Sequence, residues 1–137
     1  MSVPIGIRQN NPGNLECGQP WQGLAPKQDG DRFCRFTSPI YGIRAMALLV
    51  RNYYRSCRAR TIRGVLGIYA PASENNLGAY VASVSKRSGL PPDVPMNFNA
   101  APTLEKLIPA MIHHESGQQP YPKELIAEAV KLAMEAK

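Results

Sequence analysis

Glu115 stands where an apolar helix should place a hydrophobe. In the segment AMIHHESG, Ala110 to Gly117, it follows two histidines and precedes a Ser-Gly pair that can turn the chain away. Upstream, Leu104, Leu107, Ile108, Met111 and Ile112 recur at helical spacing, and Glu115 is the next member of that series. At about 100° per residue it falls inside the arc of the stripe, with His113 nearly opposite and His114 on the margin. A carboxyl group at the edge of an apolar surface loses water, which disfavours its charged form and raises its pKa toward neutrality. That is the property of a general acid. The competing reading is a helix-end glutamate that snorkels to solvent against an unfavourable helix dipole. Pro109 lies inside the same helix, where proline tends to kink the axis and shift the phase of the last turn. Two imidazoles and a carboxylate also invoke zinc, but adjacent helical residues point about 100° apart and the HExxH spacing is absent, so no metal site is expected.

The elements that must position this carboxylate are legible in outline. Residues 1–31 carry Pro4, Pro12, Pro20 and Pro26 among many Gly and Asn, and predict irregular, turn-rich structure. RFCRF, Arg32 to Phe36, predicts a short strand, half of a small hairpin turning at QDGD. Ser38 followed by Pro39 caps a helix whose inward face is Ile43, Ala47, Val50 and Tyr54. Thr61 caps a second, carrying Ile62, Val65, Leu66 and Tyr69 and ended by Pro71; Ser73 caps a third that stops at Gly89, with Leu77, Tyr80, Val81 and Val84 inward. The Pro- and Asn-rich stretch Leu90 to Pro102 reads as an ordered surface loop, Thr103 caps the helix that ends near Glu115, and Pro122 opens the last one. In that last helix Leu125, Ile126, Ala129, Val130 and Ala133 face inward. The expected class is mainly α, about five helices and one small β-hairpin, in a single domain over residues 1–137.

Composition limits the partners. With 44% apolar and 19% charged residues the chain is neither a disordered acidic tail nor a membrane protein, and its longest apolar run, Ala45 to Val50, cannot span a bilayer. A net charge of +6 draws the surface to polyanions such as nucleic acid, anionic lipid or an acidic cell wall. The basic residues are densest in RNYYRSCRARTIR, Arg51 to Arg63, a mixture that suits nucleic acid but more simply marks a solvated helix end and loop. Cys17, Cys34 and Cys57 are odd in number and lack CxxC spacing. Three buried reduced thiols are the favoured reading, with a Cys17–Cys34 bridge left open. No signal peptide is visible at the N-terminus, so a target outside the cytoplasm implies delivery by other means.

An apolar helix ending in Glu-Ser-Gly resembles the catalytic helix of the lysozyme-like superfamily, especially lytic transglycosylases and bacterial glucosaminidases. Further segments are similar to those downstream of that helix in the glucosaminidases: NNPGNLE from Asn10, WQG from Trp21, RFCRF, the helix SPIYGIRAMALLVRNYY, and IYAPASENNLGAYVASV. The similarity runs from Gly6 to Val84, with the Glu-bearing helix behind instead of in front. It implies a circularly permuted lysozyme-like domain, a rearrangement that needs the chain ends close in space. GIRQNNPGNL also resembles small phage and prophage virion proteins, a likeness that implies no settled chemistry.

The resemblance implies an enzyme that cleaves glycosidic bonds of peptidoglycan glycan strands without cofactor or metal, Glu115 being the acid. Glu74, in ASENNLGAY, is the first candidate for a second carboxylate, although a first-turn glutamate also simply complements the helix dipole. Asp29 and Asp31 are alternatives, although DGD is commonly only a turn. By the same resemblance a second carboxylate is dispensable when the substrate's N-acetyl group or a sugar hydroxyl serves as nucleophile, with Tyr80 and Tyr69 stabilising the cationic transition state. Asn75, Asn76 and His114 are candidate sugar contacts, and Trp21 is either a stacking platform or an anchor for the N-terminal region. Either tyrosine is as well explained as core, and for Tyr69 core is the favoured reading. Glycan strands and phage or secretion-system components are the expected partners, nucleic acid is disfavoured, and the expected site of action is the periplasm or cell wall after delivery, or the virion. The alternative is a virion structural or wall-binding protein without catalysis.

Overall fold

The computed structural model of the chain describes residues 3–28, 32–70 and 76–136. Among them lie six helices: α1 (Ile5–Arg8), α2 (Pro39–Ser56), α3 (Ile62–Tyr69), α4 (Leu77–Ser88), α5 (Ala101–Ser116) and α6 (Lys123–Glu135). The class is mainly α. Extended pairing among the described residues is confined to two antiparallel bridges, Glu16 with Phe33 and Leu24 with Phe36. The expected hairpin is therefore a pair of isolated bridges, and part of its expected turn, Asp29 to Asp31, lies outside the described residues. One helix more than expected appears because Pro4 opens a single turn, α1, in the stretch read as irregular.

Helix starts follow local chemistry where one residue suffices to set them. Ser38 accepts from the Ile40 N–H ahead of Pro39, and Thr61 accepts from the Gly64 N–H at 3.0 Å. Both satisfy donors that a first turn leaves unpaired. Two starts differ from expectation. Asn76, not Ser73, supplies the cap of α4 by accepting from the Ala79 N–H at 3.1 Å, and Ser73 lies outside the described residues. Helix α5 begins at Ala101 with Ala100 at the cap, because Pro102 in the first turn fits a helix start and Thr103 is carried inside. Gly89 and Gly117 end α4 and α5 in the left-handed conformation, each at φ 76°.

Helix α5 is the centre of the packing. Leu104, Leu107, Ile108, Met111 and Ile112 are fully buried, and the helix contacts α4, α6, α2 and α1. It runs unbroken through Pro109, whose missing N–H removes only the bond to the carbonyl of exposed Glu105, which water can satisfy. Helix α2 lies along α6, with Ile43, Ala47 and Val50 inward against Ile126, Ala129, Val130 and Ala133. Each isoleucine or valine among them, removed from water, contributes roughly 1.5–3 kcal/mol before conformational entropy is set against it, and each alanine less. A smaller cluster, Leu15, Cys34, Phe36 and Ala45, packs the N-terminal loop onto the far side of α2. No described helix is long and apolar enough to cross a membrane.

The basic stretch Arg51 to Arg63 is largely structural. Arg51 is buried, donating to Asn99 Oδ1 at 2.6 Å and to the carbonyls of Ala133 and Ala136 at the end of α6. Arg60 donates to the Tyr54 carbonyl and lies over its ring, and Arg63 pairs with Asp93. Of the cysteines only Cys34 is buried, its thiol pushed up to about 12 by burial and the neighbouring Cys17; all three are free and Cys17 and Cys57 are exposed, so the reading of three buried thiols is corrected.

Candidate functional site

The last turn of α5 delivers Glu115 to the wall of a cleft of about 530 Å³, within the roughly 300–1,000 Å³ range of small-molecule sites. The far wall is the N-terminal loop, Gly13 to Glu16, with Arg32 and Phe33 beside it; Tyr69 and Ile68 of α3 and Tyr53 of α2 close the rest. The loop is tied to the helix end at several points. Ser116 Oγ donates to the Pro12 carbonyl at 2.7 Å, Tyr69 donates to the Gly13 carbonyl at 2.7 Å, and Asn14 Nδ2 donates to the backbone carbonyl of Glu115 at 2.9 Å. Gly13 must be glycine here: a Cβ would stand 2.3 Å from the Tyr69 hydroxyl and 2.6 Å from Met46.

Both carboxyl oxygens of Glu115 are addressed. The Tyr80 hydroxyl donates to Oε2 at 2.7 Å, and Asn14 Nδ2 reaches Oε1 at 3.3 Å. Burial holds the Glu115 pKa above the usual carboxylate range, and these two hydrogen bonds, which favour the charged form, offset part of the rise. Burial, with Tyr69 and Glu115 nearby, pushes the Tyr80 phenol far up, so it stays a donor. The His114 ring stacks on Tyr80 with centroids 3.9 Å apart, and burial together with Arg87 and His113 lowers its pKa, favouring the neutral imidazole. Burial and the nearby Glu115 raise the Tyr69 pKa well above its usual value.

The structure thus brings together Glu115, Tyr80, His114 and Tyr69. Tyr80 is fully buried behind the carboxylate, so it acts on anything in the cleft through Glu115 and not by direct contact. Tyr69 is a cleft residue with its hydroxyl committed to the Gly13 carbonyl. Trp21 and Asn76 are placed elsewhere: Trp21 packs against the Leu15 and Phe36 cluster, the anchoring role, and exposed Asn76 spends its side-chain oxygen on the α4 cap. Glu74, Asn75, Asp29 and Asp31 lie outside the described residues. Among the described residues, Glu16 is the other carboxylate lining the cleft, and it is ion-paired with Arg32. No three His, Cys, Asp or Glu side chains gather as metal ligands among the described residues.

Sequence reasoning passed over Asn14 and Tyr53. For Asn14 a signal exists: it follows Pro-Gly, and asparagine is among the few non-glycine residues that tolerate its φ of 54°. Its partner lies 101 residues away and cannot be read from spacing.

No protein-family model matches the sequence. Over 120 residues, 85% of this chain and 73% of the relative, it is 32% identical to a protein of Pseudoalteromonas phage PM2 designated Protein P5.

Proposed function

The chain belongs to the family of phage PM2 Protein P5, and from that premise we propose that it is a phage-delivered enzyme that cleaves glycosidic bonds in peptidoglycan glycan strands, built as a circularly permuted lysozyme-like domain. The observation that carries the reading is a half-dry carboxyl group, Glu115, facing a sugar-sized cleft with a phenol donor fixed on one oxygen. The meeting of residues 6–14 with the end of α5 supports the permutation, since it joins the segments that the resemblance places next to each other.

Because the Tyr80 bond to Oε2, at 2.7 Å, is much shorter than the Asn14 bond to Oε1, at 3.3 Å, we assign the proton of the neutral acid to Oε1. In the proposed reaction that proton passes to the glycosidic oxygen as the bond to the anomeric carbon breaks. The cation left at the anomeric carbon is trapped by a sugar hydroxyl, or by the substrate's own N-acetyl oxygen with water then opening the ring so formed; the proton of that hydroxyl or water returns to the Glu115 carboxylate, so no second carboxylate is required from the described cleft. Neutral His114 offers a polar edge at the cleft wall for sugar contact.

The test is mass spectrometry of purified sacculi digested by wild type and by Glu115→Gln. Wild type is expected to release soluble muropeptides and the variant to lose roughly 10²- to 10⁴-fold in rate, the usual contribution of a general acid. Equal release by both proteins refutes the role of Glu115. Retention on sacculi with no release by either would favour a wall-binding virion protein.

A further inference from the structure

We infer that Cys17 and Cys34 are a modification site, a thiol pair that closes to an intramolecular disulfide when the protein leaves a reducing compartment and pins the cleft wall across from Glu115. The change of compartment rests on the delivery proposed above, whereas the pairing stands on the fold.

Backbone register brings the two cysteines together. Glu16 and Phe33 form an antiparallel bridge, flanked by the Cys17 N–H on the Arg32 carbonyl at 3.1 Å and the Cys34 N–H on the Leu15 carbonyl at 2.9 Å. Each cysteine follows a bridge residue, so the two lie diagonally on one side of the paired segments. Cys34 is buried, and the Asn11 side chain fixes it by donating to the carbonyls of Leu15 and Cys34, both at 2.9 Å, while accepting from the Leu15 N–H. Its sulfur lies against residues 17 and 18, in hydrogen-bond contact with the Cys17 thiol and with the Gly18 N–H.

Diagonal partners commonly sit slightly farther apart than a disulfide requires, so one side must give. The side that can give is Cys17. It is exposed, and Gly18 after it has a φ of 137° with open space where a side chain would stand. The Cys17 thiol also has a long 3.7 Å contact with Gln28 Oε1, an oxygen that accepts from the Arg35 N–H at 2.8 Å and so keeps a partner when the thiol moves away.

The chemistry needs an external disulfide as oxidant. Exposed Cys17, as thiolate, attacks one sulfur of that disulfide and expels the other as a thiolate, leaving a mixed disulfide on Cys17. Cys34 loses its proton, attacks the Cys17 sulfur and expels the second thiolate. The chain's two thiols are thereby oxidised, the external disulfide is reduced, and its two thiols carry off the two protons. The order follows from burial, which holds the Cys34 thiol up with help from Cys17; capping Cys17 removes that second influence, and the Gly18 N–H favours the Cys34 thiolate. In a reducing cytoplasm the pair stays open, and an oxidising periplasm or cell surface closes it.

The bond would tie together the two segments that carry Leu15, Glu16, Arg32 and Phe33, all of which line the cleft. Among the described residues, their pairing is otherwise limited to isolated bridges, so a covalent tie has slack to remove.

The test is mass spectrometry of the full chain, reduced, freed of reductant and equilibrated with oxidised glutathione, for wild type, Cys57→Ser and Cys17→Ser. Wild type and Cys57→Ser are expected to lose the mass of two hydrogens and to yield, without reduction, a linked peptide joining Cys17 to Cys34. Their Tm should rise by roughly 5–15 °C, a gain that dithiothreitol reverses. Cys17→Ser, changed at an exposed position, should fold, form no intramolecular bond and show no rise. A glutathione adduct that persists on Cys17 while Cys34 stays reduced, a bond made from Cys57, or linked dimers as the main product overturns the inference. So does a Cys17–Cys34 bond that leaves Tm unchanged or lowers it. None of these readouts uses glycan cleavage, so failure of the proposed activity and failure of the thiol pair are read separately.

Discussion

Glu115 is held in a place its charged form does not favour, and the fold must bear that cost. Its pKa in the folded chain lies above the ordinary carboxylate value because burial outweighs the bonds from Tyr80 and Asn14. For a group shifted in that direction, the contribution to stability is complete at low pH and is lost as pH rises through the raised value. Glu115→Gln removes the charge and keeps the shape. The variant is expected to melt above wild type at about pH 7 and to match it near about pH 3, where the wild-type side chain is neutral in both folded and unfolded chains. Thermal melts across pH check this, and a variant less stable than wild type at neutral pH would show that the charged form is the better accommodated one. Glu115 was legible because its phase on α5 depends on nearby residues alone. Asn14 was not, because its left-handed backbone and its hydrogen bonds exist only once the loop has docked on a helix end 101 residues away.

At the scale of elements, the caps at Ser38 and Thr61 and the stop at Gly89 could be read because each is settled within one turn of chain. The start of α5 was misplaced at Thr103 because Pro102 offers a second valid first turn, and the helix takes the earlier one. Arg51 illustrates the opposite limit. In the sequence it is one more cation in a basic run, yet in the fold its guanidinium closes the last turn of α6, donating to the Ala136 carbonyl and adding to the Ala136 N–H on the Ala133 carbonyl. Arg51→Met would remove this donor from the Ala136 carbonyl and Asn99 Oδ1, and leave the Ala133 carbonyl with the Ala136 N–H alone. A loss of about 2 kcal/mol in urea unfolding is expected, the order of one or two charge-assisted hydrogen bonds. The exposed neighbour Arg55 should be replaceable by Gln with a change below about 0.5 kcal/mol. Equal effects at both positions would contradict the assignment of Arg51 as a structural tie.

For the molecule as a whole, a net charge of +6 and the proposed wall target make binding sensitive to salt. Retention on purified sacculi should fall steeply between roughly 0.05 and 0.5 M salt, where screening shortens from above to below about 10 Å. Glu115→Gln, which makes the surface slightly more basic, should be retained at least as well as wild type. Pull-down at graded salt measures both, and salt-independent retention would assign binding to uncharged contacts in the cleft instead. The overall class was readable from helical periodicity, whereas the cleft was not, since its walls come from α2, α3, α5 and the N-terminal loop together.

The loop that completes this cleft is synthesised about a hundred residues before the helix end it grips. During synthesis the growing chain therefore has no finished pocket before residue 115 and its partners are present together. The pocket is complete only when these two distant stretches of polypeptide clasp.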